Sequence, residues 1–488
     1  MAPSKITLAL CAVALCGLTV GAVAATKKQK TDKIPITTSS EEAKKLYMEG
    51  RALAEKLRAT DAHKLYQQAV ARDQNFALAH LGLANTSATG KEFFDELARA
   101  VALAGKVSEG ERLLILGQDA GARGDPARQR KLYTELTRAH PNDERAFNQL
   151  GFHYFGIQDW EAAVRAFERA IAINPNFSQP YNQLGYGYRF LEKYAKAEQA
   201  FKKYIQLIPD DPNPYDSYAE LLMKMGRFDE SIATYGKALK IDPNFVASYV
   251  GIGNNQIFMN RGADARKTFA RLSKVSRNEG EKRQAMFWTV ASYLHEGAAD
   301  KALAEVEKMM AIAMQGKDFG AVAGDHALMG NILLEAGRPD EASVKFEAQL
   351  DAVSKANQPA ETKEQVRRNN LFNQARVALA RKDLGAARAK AKEYATKVAA
   401  KKVPFEVRQS HELAGYIALA EKKYTVAVSE LEQANGQDPR VLYHLAVALE
   451  GAGDRRAKEA MGKAANFNGL GGNYGFVRKK ALTRLGKS

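Results

Sequence analysis

The chain is nearly without cysteine: it has two, Cys11 and Cys16, both within the first 25 of its 488 residues. Beyond that point disulfides and thiol chemistry are excluded. Tryptophan is equally scarce, with two residues. The eight histidines stand apart, none at metal-ligand spacing from another His or from Cys, so neither a metal nor a cofactor is expected. A glycine-rich stretch at Gly469–Gly475 has no preceding strand and no Lys-Ser/Thr pair after it, which excludes a phosphate-cradling loop and leaves a turn ahead of a last helix, Phe476–Leu485. The acidic pairs Asp210-Asp211 and Asp229-Glu230 fall at helix starts, where capping accounts for them. No serine nucleophile motif or acid–base constellation recurs, so a catalytic centre would have to be assembled from residues distant in sequence, and none is expected.

Long apolar runs are also missing, with one exception. Met1–Ala25 carries Lys5, an apolar run from Ile6 to Val23 and a small-x-small site at Ala22-Val23-Ala24. This reads as a secretory signal peptide (1–24) cleaved after Ala24; the run is also just long enough for an uncleaved anchor. A lipoprotein signal is disfavoured because Leu10 and Leu15, not small residues, precede the two cysteines. An exported chain without disulfides suits a bacterial periplasm or exterior. Residues 25–40 read as a linker.

What the chain does have is a period. Pro141, Pro175, Pro209 and Pro243 stand at three consecutive intervals of 34 residues. Aligned on them, Phe147, Tyr181, Tyr215 and Tyr249 share one column, Leu150, Leu184, Tyr218 and Ile252 the next, and Gly151, Gly185, Ala219 and Gly253 follow. Further on come a small column (Ala163, Ala197, Ser231, Ala265) and an aromatic one (Phe167, Phe201, Tyr235, Phe269). Spacings of three and four are helical, and small columns facing large ones mark close approach of two helices. Each unit therefore reads as helix, turn, helix, closed by a proline that cannot continue the second helix. Gly226, Gly297, Gly337 and Gly453 fit the ends of first helices, each shortly ahead of an acidic residue suited to the next helix start.

This unit resembles the tetratricopeptide repeat, most fully over Phe147–Pro175. About twelve units can be followed between Ala43 and Ala464: a regular array over 41–275 and longer, degenerate units over 276–464, where Ala302, Ala342, Ala387 and Ala427 recur at intervals of 40, 45 and 40. A loop and basic capping helix fill 465–488. The expected fold is all-α, a solenoid of tandem helix pairs wound into a right-handed superhelix.

Charge is uneven. The formal net charge is +16, yet residues 144–260 hold 12 Lys/Arg against 13 Asp/Glu, while 369–488 hold 22 against 11. Arg455, Arg456, Arg478, Lys479 and Lys480 are candidates for an anionic partner, a membrane surface or acidic polysaccharide, with a solvated terminal cap as the plain alternative.

The resemblance implies that first helices line the hollow of the superhelix. It places Asn148, Phe152, Phe155, Asn182, Tyr186, Arg189 and Phe190 there, followed by Asp216, Glu220, Asn254 and Phe258. Aromatics beside side-chain amides suit an extended peptide; packing between adjacent first helices is the competing use. The resemblance thus implies a non-catalytic scaffold binding a protein or peptide in the bacterial envelope and supporting complex assembly. The alternatives are a substrate-binding or accessory subunit of a cell-wall or polysaccharide enzyme system and, with less support, an RNA-binding solenoid; period and leader argue against nucleic acid.

Overall fold

The computed structural model describes residues 33–486 apart from 57 and 88. The signal peptide reading lies outside these residues. Among the described residues the chain forms 25 α-helices and no strand. The first twenty-four form consecutive antiparallel pairs, and pair stacks on pair.

α1 (Glu41–Ala54) pairs with α2 (Ala59–Arg72), α3 (Ala77–Thr86) with α4 (Gly90–Leu103), α5 (Glu109–Ala122) with α6 (Pro126–Ala139) and α7 (Glu144–Gly156) with α8 (Trp160–Ile173). Then come α9 (Ser178–Phe190) and α10 (Tyr194–Leu207), α11 (Pro212–Lys224) and α12 (Phe228–Ile241), α13 (Val246–Phe258) and α14 (Gly262–Val275), α15 (Glu279–Glu296) and α16 (Ala299–Gln315). The last pairs are α17 (Phe319–Glu335) with α18 (Pro339–Lys355), α19 (Ala360–Ala380) with α20 (Leu384–Lys401), α21 (Pro404–Ala420) with α22 (Tyr424–Gln433) and α23 (Pro439–Gly451) with α24 (Ala457–Ala465), followed by α25 (Tyr474–Arg484).

In many of the pairs an aromatic ring lies against the bare backbone of a glycine. A methyl group at Gly151 would fall 2.5 Å from the Phe167 ring, and one at Gly185 2.5 Å from that of Phe201. The longer units keep the device, with Gly330 against Phe346 and Gly415 against Leu431. The small column beside it is sealed: Ala163, Ala197, Ser231, Ala265, Ala302, Ala342, Ala387 and Ala427 are all 0% exposed. Helices α15–α21 run 17–21 residues, against 13 or 14 in α5–α14, which accounts for the longer period there.

From α5 onward each first helix turns into its partner through one left-handed residue. Gly226, Gly297, Gly337 and Gly453 supply it after α11, α15, α17 and α23, with φ between 69° and 77°. Gln158, Glu192 and Asn260 take the same conformation after α7, α9 and α13.

The same substitution at two helical glycines is expected to have opposite signs. Gly185→Ala drives a methyl into the Phe201 ring and should cost about 1–3 kcal/mol. Gly236→Ala, in α12 with nothing within 4 Å of the new methyl, should gain up to about 1 kcal/mol. Urea unfolding checks both; a neutral Gly185→Ala would contradict the packing.

Candidate functional site

The inner positions of the regular units are joined to one another. Asn148 is buried and donates through Nδ2 to Gln179 Oε1 on the next first helix at 2.8 Å. Tyr186 Oη donates to Glu220 at 2.9 Å, and Glu220 also pairs with Arg189, whose guanidinium lies 4.9 Å from the centroids of both Tyr186 and Phe190. Ser248 Oγ donates to Asp216 Oδ1 at 2.8 Å. Phe155 and Phe190 close around Trp160, which stacks on Phe190 with centroids 4.2 Å apart, while Phe152 meets Phe167 edge-on. Asn182 is buried beside them, and its Oδ1 has no hydrogen-bond partner among the described residues. Most of the expected binding row thus stitches α7, α9, α11 and α13 into one wall.

The far end of the row is covered by the chain itself. α25 packs across α15 and α23, and Tyr474 Oη donates to Asn254 Oδ1 at 2.7 Å across 220 residues of sequence. The Tyr474 ring meets Phe258 at 4.8 Å, the Arg478 guanidinium lies 4.8 Å over that same ring, and the Lys224 ammonium sits 4.3 Å over Phe467. Asn254 and Phe258 therefore face the C-terminal segment, not an open groove.

This docking also divides the basic cluster. Arg478 is buried and donates to Asn468 Oδ1, because the helical turn of α25 aims it inward while Lys479 and Lys480 stay outside. Lys480 pairs with Glu335, and Arg456 with Asp454 and Glu432. Arg455 and Lys479 are exposed. The five residues do not form one outward anionic-surface site.

Two parts of the hollow stay open: a cavity of about 520 Å³ bounded by Arg189, Phe190, Glu220, Lys224 and Phe467, and one over the first units. A chamber of about 510 Å³ is bounded by Tyr47, Gln118, Asn148, Gln149 and Phe152, with Ile34–Ile36 forming one wall. Asn85 and Gln179 add two more amides. Asn148 Oδ1 has no partner among the described residues, and Arg145 closes one side by pairing with Glu55 at 2.8 Å and lying over the Phe177 ring. The wall is part of the stretch read as a linker: Ile34 N–H donates to Asp143 and Thr37 N–H to Glu111. Gln118 and Asn85 were not identified from sequence, because the early units match the repeat pattern too faintly to number their inner positions.

Three models of the tetratricopeptide repeat match residues 144–177, 178–211 and 219–255. Over these residues the chain is built of tetratricopeptide repeats. Solved structures of similar fold include a tetratricopeptide repeat protein from Parabacteroides merdae (14% identity, 54% of this chain and 99% of that one, TM-score 0.38). They also include MamA of Desulfovibrio magneticus (18%, 35% and 96%, 0.31) and YrrB, a TPR protein with an unusual peptide-binding site (16%, 37% and 91%, 0.27). No curated protein matches the chain in sequence.

Within this wall the Asp216 carboxyl is strongly perturbed. Burial pushes it up to about 7, the Ser248 hydroxyl pulls against that, and Glu220 adds to the rise. A carboxyl raised in the folded state holds its proton there over a range where the unfolded chain has lost it. Stability from this group is therefore complete below the ordinary carboxylate range and declines as pH rises toward 7. Thermal unfolding of Asp216→Asn should lack that decline between pH 4 and 7; superimposable pH profiles for the variant and the wild type would contradict it.

Proposed function

We propose that this protein is a non-catalytic scaffold, exported to the bacterial envelope, which holds a protein or peptide along the inside of its coil and supports assembly of a complex. Tandem tetratricopeptide repeats make an interaction scaffold. The observation that carries the reading to a place is the N-terminal chamber, where amides and aromatic rings converge on an accessible space and the buried Asn148 carries an unanswered acceptor. Rings grip side chains, while amides answer the donors and acceptors of a peptide backbone.

The acids bounding the chamber support a binding role over catalysis, since Glu55 is paired with Arg145 and Asp143 caps α7. Among the described residues no three His, Cys, Asp or Glu side chains group as a metal site. Nor, among the described residues, is any helix long and apolar enough to cross a membrane.

Tagged protein recovered from an envelope fraction should begin at Ala25 by intact mass and carry cross-linked partners. Asn85→Ala/Gln118→Ala/Gln149→Ala should weaken their capture by about tenfold or more, each lost hydrogen bond contributing roughly 0.5–1.5 kcal/mol. An unprocessed cytoplasmic chain would contradict export, and an unchanged set of partners would contradict the chamber.

A further inference from the structure

The eight residues ahead of α1 already show how this array takes a peptide. From Lys33 to Ser40 exposure alternates residue by residue: Lys33, Pro35, Thr37 and Ser39 are exposed, while Ile34, Ile36, Thr38 and Ser40 turn inward. That is the period of an extended strand laid on a surface. Ile34 packs on the cluster around Leu113 and Leu136, and Ile36 on that around Tyr47 and Phe76.

The main chain is held by carboxylates from successive units. Ile34 N–H donates to Asp143 Oδ2 at 2.8 Å, Thr37 N–H to Glu111 Oε1 at 2.7 Å and Ser39 N–H to Asp73 Oδ2 at 2.9 Å. The hydroxyls of Thr37 and Thr38 donate to Glu111 Oε2 at 2.5 Å and Asp73 Oδ2 at 2.6 Å, and Lys33 pairs with Glu144. Asp143 caps the start of α7, Glu111 lies in the first turn of α5, and Asp73 closes α2 ahead of α3. The bonded N–H groups fall three and then two residues apart, about 10 and about 7 Å of extended chain against the roughly 8–10 Å between packed helices, so the passing backbone meets one acidic rung at each of these units.

We infer that Asp143, Glu111 and Asp73 form a peptide track whose resident occupant is displaceable: an extended partner segment with a leading Lys, aliphatic side chains at alternate positions and Thr or Ser behind them binds there in place of residues 33–39. The reading deepens the proposed scaffold role and rests on it. The contacts are to main chain, hydroxyls and two aliphatic side chains, all of which a separate peptide can supply. Displacement would remove the Ile34–Ile36 wall and open the chamber beneath it. The tether sets the threshold, since a segment attached by a short linker acts at an effective concentration on the order of millimolar. A free peptide with a Kd of roughly 100 μM for the empty track is then weakened about tenfold.

The probe is a fluorescent peptide of residues 33–40, titrated into the full chain and into Ile34→Asp/Thr37→Pro, which removes both Thr37 donors to Glu111 and sets a carboxylate in the apolar cluster that Ile34 fills, while leaving the three acids intact. Binding should be about tenfold or more tighter in this released variant, and should be lost when Glu111→Gln and Asp73→Asn are added. Equal affinity for the wild type and the released variant, or binding that survives loss of the acids, would overturn the proposal. Should the released variant not fold by circular dichroism, a fluorophore at Pro35→Cys in an otherwise cysteine-free full chain reads the same question. Millimolar peptide should then mobilise the label, and no change would overturn the proposal. Wild type sedimenting as a dimer that the peptide dissociates would assign the track to strand exchange between two copies and overturn the partner reading. Capture through Asn85, Gln118 and Gln149 is independent of these variants, so the scaffold reading and the track fail separately.

Discussion

An aromatic ring seated on the bare backbone of a glycine is the contact on which the architecture depends. It lets the two helices of a unit approach within the thickness of one ring, and it recurs from Gly151–Phe167 to Gly330–Phe346 whether the unit is short or long. The seat accepts no side chain on the glycine, so the pairing geometry is fixed by exclusion as much as by attraction. Repeating one rigid pair stacks neighbours at a constant offset and leaves a hollow along the first helices.

The coil then turns back on itself. Lys463 of α24 lies 3.5 Å from Glu192 after α9, Arg408 of α21 reaches the carbonyl of Ile157 after α7, and Tyr474 reaches Asn254. The hollow is thus occupied at two places by its own chain: residues 33–40 lie along the first units, and 466–484 cover the sixth and seventh. What remains accessible includes the amide- and ring-lined chamber of the early units and a cavity of about 520 Å³ between Arg189, Phe190 and the C-terminal segment. A scaffold built this way presents short, defined sites where the repeat pattern alone implies a continuous groove.

Much of this was legible in the sequence because it repeats. The 34-residue period exposed the pairing, the small and aromatic columns exposed the interior of each unit, and Gly226, Gly297, Gly337 and Gly453 marked turns that do require positive φ. The inner row was legible as a row: Asn148 and Phe152 do line the chamber. The rest could not be read because it happens once. Tyr474 on Asn254, Arg478 over Phe258 and Asp143 holding Ile34 are single contacts between remote residues, with no second copy to raise them above background. Their consequences are the ones composition misjudges: a basic cluster divided by a helix that turns Arg478 inward, and a polar stretch that reads as linker yet carries two isoleucines into apolar clusters.

Closure of the coil is tested most directly by a short cross-link across it. In a chain lacking Cys11 and Cys16, Glu192→Cys/Lys463→Cys places two thiols where an ion pair now joins residues 271 apart in sequence. A short bismaleimide should link them within one molecule in high yield, giving a single faster-migrating band under denaturing conditions. Linkage no greater than in a control pair such as Glu192→Cys/Lys301→Cys would show an open coil and contradict the account.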